Sequence, residues 1–177
     1  MDLGLISVRY ARALLKASDG EKLSEEVYSD MKTLAAQYVE VPELGATIAN
    51  PMLSPEQKKE ILLAATGNSA CSLTQRFISL VLSEGREDIM RFIAGSYITL
   101  YRKQNNLVRA KLSTAARLSS DTEVKLRNLI ESQTKGKVEF RSTVDPGLIG
   151  GFVLEYDTYR LDASVKSRLN AIRSGLK

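Results

Sequence analysis

The spacing of the apolar residues changes near residue 105, and this change limits most strongly what the chain can fold into. Before it, apolar residues recur every three or four positions, as they do along a helix face. After it they alternate with charged residues, as in Val108, Ala110 and Leu112, which indicates half-buried strands. We therefore predict an α+β protein, in which an N-terminal six-helix bundle (residues 1–105) precedes a small α/β C-terminal domain (residues 106–177).

Local signals divide the first part into helices. Gly20 is expected to end the first helix, because glycine adopts the left-handed conformation of a helix cap without strain. Ser54 and Gln57 are expected to form a capping box at the start of the fourth helix, with Pro55 in the first helical position. These signals predict helices with well-defined ends.

The second part is predicted to contain three strands of one small sheet, around Val108, around Val138 and from Gly151 to Tyr156. Between the first two strands a helix is predicted through Val124, Leu126, Leu129 and Ile130. A last helix carries an apolar stripe of Val165, Leu169 and Ile172 among basic residues. We expect this last helix to cover the sheet; the alternative is that it docks an acidic amphipathic helix.

Two predicted helices, residues 5–18 and 72–84, are apolar on two faces. A helix at the surface of a small bundle needs only one apolar stripe. The second stripe means either that the helix is surrounded by the core or that it forms the wall of a groove for a partner helix. In the first helix the two stripes are Ile6, Tyr10, Ala13 and Ala17, and Val8, Ala11 and Leu15.

The composition excludes several kinds of catalytic and metal site. The chain has no histidine and one cysteine, Cys71, so a Ser/His/Asp triad, a histidine metal site and an internal disulfide are impossible. A glycine cluster follows Pro146, but it leads into a strand instead of a helix, unlike a phosphate-binding loop. Pro146 is expected to turn the chain, and Gly150 and Gly151 to permit a close backbone approach. We expect no catalytic residue, no metal and no cofactor.

Positive charge is concentrated in the second part of the chain. Residues 1–105 hold 12 Lys/Arg against 13 Asp/Glu, whereas residues 106–177 hold 13 against 8. A basic unit could bind nucleic acid, and a base-binding sheet would then present aromatic side chains for stacking. Phe140, Phe152 and Tyr156 instead occupy the core positions of the alternation. A nucleic-acid-binding protein and a general helical adaptor are kept as alternatives.

Several segments together resemble a known family. The most specific are Val144–Phe152 (VDPGLIGGF) and Arg160–Leu169 (RLDASVKSRL), and weaker matches are Arg9–Leu14 and Glu84–Arg86. They are similar to the delta subunit of F-type ATP synthases, called OSCP in mitochondria, and the order of elements agrees over essentially the whole chain. Two details differ: the family often has Asp-Gly-Ser where this chain has Asp162-Ala163-Ser164, and the hairpin turn at Asp157-Thr158 lacks the usual glycine.

The resemblance implies a non-catalytic stator subunit, which links the catalytic head to the peripheral b stalk so that proton-driven rotation is coupled to ATP synthesis. In the family, the N-terminal domain binds the N-terminal helix of an alpha subunit between its first and fifth helices, and the C-terminal domain binds the C-terminal region of the b subunit. The alpha-binding positions implied here are Tyr10, Ala13, Leu80 and Val81, with Val8, Leu15, Ile78 and Leu82 on the adjoining faces.

The resemblance also implies one copy per complex and no binding of nucleic acid. No apolar run approaches the roughly 20 residues that cross a bilayer, so membrane association is expected to be peripheral, through the complex. The first residues resemble neither a secretory signal nor an organelle transit sequence. We therefore expect a bacterial protein on the cytoplasmic side of the inner membrane.

Overall fold

Helices fill the first part of the chain and a four-stranded sheet occupies the second, so the predicted α+β class is confirmed. The structure is a computed structural model of the 177-residue chain. It describes residues 3–67, 70–116, 124–125, 128, 131–132, 137–156 and 159–175. The chain divides into two compact units, Met1–Lys103 and Gln104–Lys177.

Within the described residues, the first unit is built from α-helices whose bounds are α1 Leu3–Glu21, α2 Ser24–Glu40, α3 Glu43–Ala49, α4 Pro55–Ala65, α5 Ser72–Ser83 and α6 Met90–Gln104. A short 3₁₀-helix, Glu87–Ile89, leads into α6. No helix in the described parts of the chain combines the length and the apolarity needed to cross a membrane.

Every α-helix of the first unit contributes buried apolar side chains. Burying each large apolar side chain stabilises the fold by about 1.5–3 kcal/mol. The largest fully buried side chains of this unit are Leu14, Val27, Met31, Leu34, Ile48, Leu62, Ile78, Ile89, Met90, Ile93 and Tyr97. The hydroxyl of Tyr97 lies 3.0 Å from Ser18 Oγ and donates to the carbonyl of Ser24, and burial raises its pKa to about 12.

Of the two predicted helix caps, the one at Ser54 is present and the one at Gly20 is not. Ser54 Oγ accepts from the amide of Gln57, whose Oε1 accepts from the amide of Ser54, so the capping box is confirmed. The predicted cap at Gly20 is wrong, because α1 continues to Glu21 and the left-handed residue is Lys22, with φ +59°. This end places apolar Leu23 directly after the cap, where helix ends commonly make an apolar contact with the preceding turn.

The second unit contains four described strands: β1 Leu107–Thr114, β2 Lys137–Val144, β3 Phe152–Tyr156 and β4 Tyr159–Asp162. Their order across the sheet is β2-β1-β3-β4. β2 pairs parallel to β1, whereas β3 pairs antiparallel to both β1 and β4. The sequence predicted three strands and missed β4, which has four residues, all exposed, and therefore no buried alternation.

The parallel pair β1–β2 requires a crossover connection, and such connections are usually helical. The predicted crossover helix lies largely outside the described residues, including its apolar positions Leu126, Leu129 and Ile130. The described positions within this connection are helical: Val124, Lys125, Asn128, Glu131 and Ser132. The predicted hairpin turn at Asp157-Thr158 also lies outside the described residues.

The two faces of the sheet differ in character. One is apolar: Ala110, Leu112 and Leu154 are buried, and packed around them are Val138, Phe140, Phe152 and Tyr156. The other face carries a charged row across the four strands, formed by Arg141, Lys111, Glu155 and Arg160. The aromatic side chains that would have to stack on bases are therefore packed against a core.

A last helix, α7 (Val165–Gly175), follows the sheet. Every described side chain from Val165 to Ser174 is exposed. The prediction that this helix covers the sheet is therefore wrong. Its first turn is held, since the amide of Val165 donates to the carbonyl of Gly150, but the rest of the helix buries none of its described side chains.

Candidate docking groove

An apolar groove of about 650 Å³ runs between α1 and α5, the two helices predicted to have two apolar faces. Its walls consist of small and large apolar side chains from both helices, with Leu14 also lining it. The wall residues are Tyr10, Ala13 and Ala17 of α1 and Leu73, Phe77 and Leu80 of α5.

Helical spacing explains why these residues share one surface. On each helix the wall residues are three or four positions apart and so lie on one face. The adjoining face of each helix enters the core, through Ala11 and Leu15 of α1 and through Ile78 and Val81 of α5. The stripe of α1 that contains Tyr10 and Ala13 therefore faces the groove, and the stripe that contains Ala11 and Leu15 faces the core.

The groove is shaped by contacts between its own walls. The rings of Tyr10 and Phe77 meet edge to face, with centroids 6.5 Å apart and an interplanar angle of 69°. Leu80 remains 50% exposed, which is unusual for a leucine in a helix with so many buried residues. Leu14, Leu73 and Phe77 are buried at the floor of the groove, and Ala13, Ala17 and Leu80 are exposed along its rim.

Charged side chains stand at the edge of the groove. Arg76 Nη2 donates to both carboxylate oxygens of Glu21, at 2.6 and 2.7 Å, and so connects α5 to the end of α1. Both side chains are largely exposed, so the pair contributes little to stability. Arg9 also lines the groove. An occupant would therefore meet apolar walls between charged groups.

The structure separates the predicted alpha-binding residues into three groups. Tyr10, Ala13 and Leu80 line the groove together. Val8 does not line the groove: it lines a second depression of about 560 Å³ with residues of α6 such as Phe92, and it shares a third of about 440 Å³ with Ala13. The remaining four are buried: Leu15, Ile78, Val81 and Leu82.

Sequence reasoning did not include several groove residues in the candidate site. Ala17 belongs to the same stripe as Tyr10 and Ala13, and Phe77 and Leu73 precede Leu80 by three and seven positions. Extending each stripe by whole helical turns from Ala13 and Leu80 would have found them. The ion pair of Arg76 and Glu21 has no comparable signal, because its partners are 55 positions apart.

The predicted turn residues Pro146, Gly150 and Gly151 shape the backbone between β2 and β3 in the second unit. Pro146 begins a 3₁₀-helix, Pro146–Leu148. A Cβ on Gly150 would lie 2.9 Å from the Val165 side chain. Gly151 has φ +76°, and a Cβ there would lie 2.2 Å from the carbonyl oxygen of Ala163. Only glycine fits at this position, where β3 begins beside the segment that leads into α7.

The groove does not have the chemistry of an active site. Among the described residues, no group of three or more His, Cys, Asp or Glu side chains is placed to hold a metal ion. Of the described groups with clearly shifted pKa values, none lines the groove. Burial raises the pKa of Tyr38 to about 12, for example, but Tyr38 lies in the core. The groove is suited to binding rather than to acid–base chemistry.

Comparison with known proteins identifies the family. The family model described as ATP synthase delta (OSCP) subunit matches residues 6–176. The chain belongs to the ATP synthase delta (OSCP) subunit family. The resemblance inferred from the sequence segments is confirmed. As a member of this family the chain is a structural, non-catalytic subunit of the ATP synthase, the complex in which proton transport is coupled to ATP synthesis.

Individual relatives of this delta-family chain match it over nearly its full length. It is 41% identical to the ATP synthase subunit delta of Parabacteroides distasonis over 176 residues, covering 99% of this chain and 98% of the relative. It is 39% identical to that of Phocaeicola vulgatus, covering 98% and 94%. It is 31% identical to the chloroplastic subunit delta of Porphyra purpurea, covering 97% and 92%.

A solved structure shows the same fold. A chain of the Toxoplasma gondii mitochondrial ATP synthase hexamer matches with a TM-score of 0.65, covering 96% of each chain, at 21% identity. At this identity the match concerns the fold alone. The delta-family fold is therefore shared by chains that have diverged at most positions.

Proposed function

We propose that the groove between α1 and α5 binds the N-terminal helix of an alpha subunit of the ATP synthase, and that the second unit holds the C-terminal region of the b subunit. The chain would then join the catalytic head to the stalk. The family membership supports the stator role, and the groove supports the first of these two contacts.

The observation that carries this proposal is an exposed apolar groove between two helices that are otherwise packed in the core. A helix with one apolar face can bury that face against Tyr10, Ala13 and Leu80. Each large apolar side chain buried in this way contributes about 1.5–3 kcal/mol before the costs of association. A few such side chains are enough for a slowly dissociating contact.

The proposed link explains how a subunit without catalysis serves ATP synthesis. The central shaft turns inside the head as protons flow, and a head that is not held would turn with it. Joining the head to the static stalk lets that rotation do work on the catalytic sites. We propose a peripheral position on the cytoplasmic side of the bacterial inner membrane, held there through the partner subunits, with one copy in each complex.

Charged substitutions in the groove test the alpha contact. Ala13→Asp or Leu80→Asp should weaken binding of the alpha N-terminal peptide from the same organism by about 100-fold or more, since a carboxylate would be desolvated against apolar walls. Titration calorimetry measures the affinity, and circular dichroism checks the helix content. Both positions are exposed, so the fold should persist.

The matched control is Ala36→Asp, which introduces the same change at an exposed position of α2 outside the groove. Its affinity for the peptide should equal that of the unaltered chain. Wild-type affinity in a folded Leu80→Asp variant would refute the groove as the alpha-binding site. Absence of binding by the unaltered chain would refute the contact with this alpha segment altogether.

A further inference from the structure

Helix α7 has a surface that no described part of the chain covers. Val165, Leu169 and Ile172 are 40%, 52% and 61% exposed, although aliphatic side chains at this spacing normally face a core. All other described side chains of the helix are exposed as well. Beyond the first turn, where the Val165 side chain lies beside Gly150, the packing that normally stabilises a short helix is therefore missing.

The helix nevertheless has a well-defined start. Ser164 Oγ accepts from the amide of Ser167, and the carboxylate of Asp162 accepts from the amide of Ser164 and from the hydroxyl of Ser167. The hydrogen bonds from Ser164 and Ser167 lower the pKa of Asp162 to about 2. However, isolated helices shorter than about 12–15 residues are marginal in water, and α7 has 11 residues.

The charges of α7 are all of one sign. Its sequence, VKSRLNAIRSG, contains no acidic residue. At 100° per residue, Lys166 and Arg173 lie on one side of the apolar stripe and Arg168 lies on the other. The helix therefore presents a narrow aliphatic stripe with a basic border on each side.

We propose that the exposed stripe of α7 docks an acidic amphipathic helix of another chain, with aliphatic side chains packing on Leu169 and Ile172 and with Asp or Glu residues facing Lys166, Arg168 and Arg173. This inference rests on the proposed function, in which the second unit holds the end of the b stalk, and it identifies the docking surface and the charge of the partner. Docking supplies the packing that α7 lacks within its own chain.

The shape of the stripe favours a protein partner over a lipid surface. Helices that insert into a membrane interface use a broad apolar face, commonly with aromatic residues. The stripe of α7 has three aliphatic residues and no aromatic one. A seam of this width, with charges on both borders, is the pattern with which two helices pack side by side.

The test measures binding of the full chain to the C-terminal segment of the b subunit from the same organism. Leu169→Asp should weaken binding by about 30-fold or more, because it places a carboxylate in the apolar seam. The matched control is Ser174→Asp, an exposed position about 170° away from the middle of the stripe and without a basic residue three or four positions before it, and its affinity should be unchanged. Reversing the three basic residues to Glu should abolish binding at low salt.

Hydrogen exchange gives a second readout. Amides of α7 beyond the first turn should exchange quickly in the free chain and become protected when the b segment is bound. Leu169→Asp and its single-residue control each change an exposed side chain. The unfolding temperatures of these two variants should therefore match that of the unaltered chain.

The outcomes separate the two proposals. If the unaltered chain binds the b segment and Leu169→Asp binds equally well, the α7 surface is refuted while the stalk contact stands. If the unaltered chain does not bind the segment, both are refuted. A third outcome is that the unaltered chain binds vesicles of phosphatidylglycerol and phosphatidylethanolamine, that Leu169→Asp abolishes this binding, and that adding the b segment leaves the amide exchange of α7 unchanged. In that case the partner of α7 is a membrane surface and not a helix.

Discussion

A single ion pair illustrates how one residue contact can hold two elements of the first unit together. Lys58 Nζ of α4 lies 2.7 Å from Glu87 Oε1 in the 3₁₀-helix before α6, and the side chains are only 9% and 19% exposed. The hydrogen bond from Lys58 lowers the pKa of Glu87 below its ordinary value of 4.5. The pair therefore stabilises the folded state when Glu87 is ionised.

This arrangement predicts a pH-dependent effect of Glu87→Gln. At pH 7 the variant should be less stable by about 1–3 kcal/mol, because the buried ammonium group of Lys58 loses its charged partner. Since the folded pKa is lowered, the contribution is fully present above 4.5 and is lost as the pH falls through the folded value. Urea unfolding at neutral and at acidic pH measures the difference.

The difference in the free energy of unfolding between the unaltered chain and Glu87→Gln should shrink as the pH falls. The control is Glu60→Gln at an exposed position of α4, which should change stability by less than about 0.5 kcal/mol at either pH. A destabilisation by Glu87→Gln that stays constant across the acid range would contradict the assignment to the charge of Glu87.

At the scale of single elements, the start of β3 depends on one glycine. Gly151→Ala should destabilise the protein by about 2 kcal/mol or more, because the methyl group would meet the Ala163 carbonyl and the left-handed φ would be strained. Gly20→Ala is the matched control: nothing lies within 4 Å of a Cβ there, and an alanine inside α1 should stabilise it by up to about 1 kcal/mol. Thermal unfolding measures the stability of both variants. Equal changes in stability would contradict the claim that position 151 requires glycine and position 20 does not.

The elements also show which predictions a sequence can support. Helices of the first unit were predictable because their apolar stripes and caps, such as that of Ser54, are local signals. β4 was missed because its existence depends on pairing with β3 rather than on its own pattern. The predicted position of α7 was wrong because an amphipathic stripe does not specify which surface, if any, of its own chain it packs against.

At the scale of the whole molecule, the two proposed contacts lie in different compact units, each with its own buried residues. Substitutions without shared contacts usually have independent effects. Leu80→Asp should therefore leave the affinity for the b segment unchanged, and Leu169→Asp should leave the affinity for the alpha peptide unchanged. Calorimetry of each of the two variants with each of the two partners gives four affinities. A variant that loses affinity for both partners would contradict this independence.

The candidate groove was predictable only in part. Two apolar faces on α1 and α5 indicated that each helix is either surrounded or used as a wall, and a resemblance supplied candidate positions. The sequence could not show that Tyr10 and Leu80 face solvent while Ile78 and Val81 face the core. That distinction depends on how the helices are rotated against the other members of the bundle, which is a property of the assembled unit.

The presence of Tyr10 in the groove has a consequence for optical spectroscopy. The chain contains seven tyrosines and no tryptophan, so its intrinsic emission comes from tyrosine alone. A partner helix that carries one tryptophan would lie within range of energy transfer from Tyr10 when it occupies the groove. Docking would then lower the tyrosine emission relative to the tryptophan emission, so that occupancy could be followed in real time without attaching a dye to either chain.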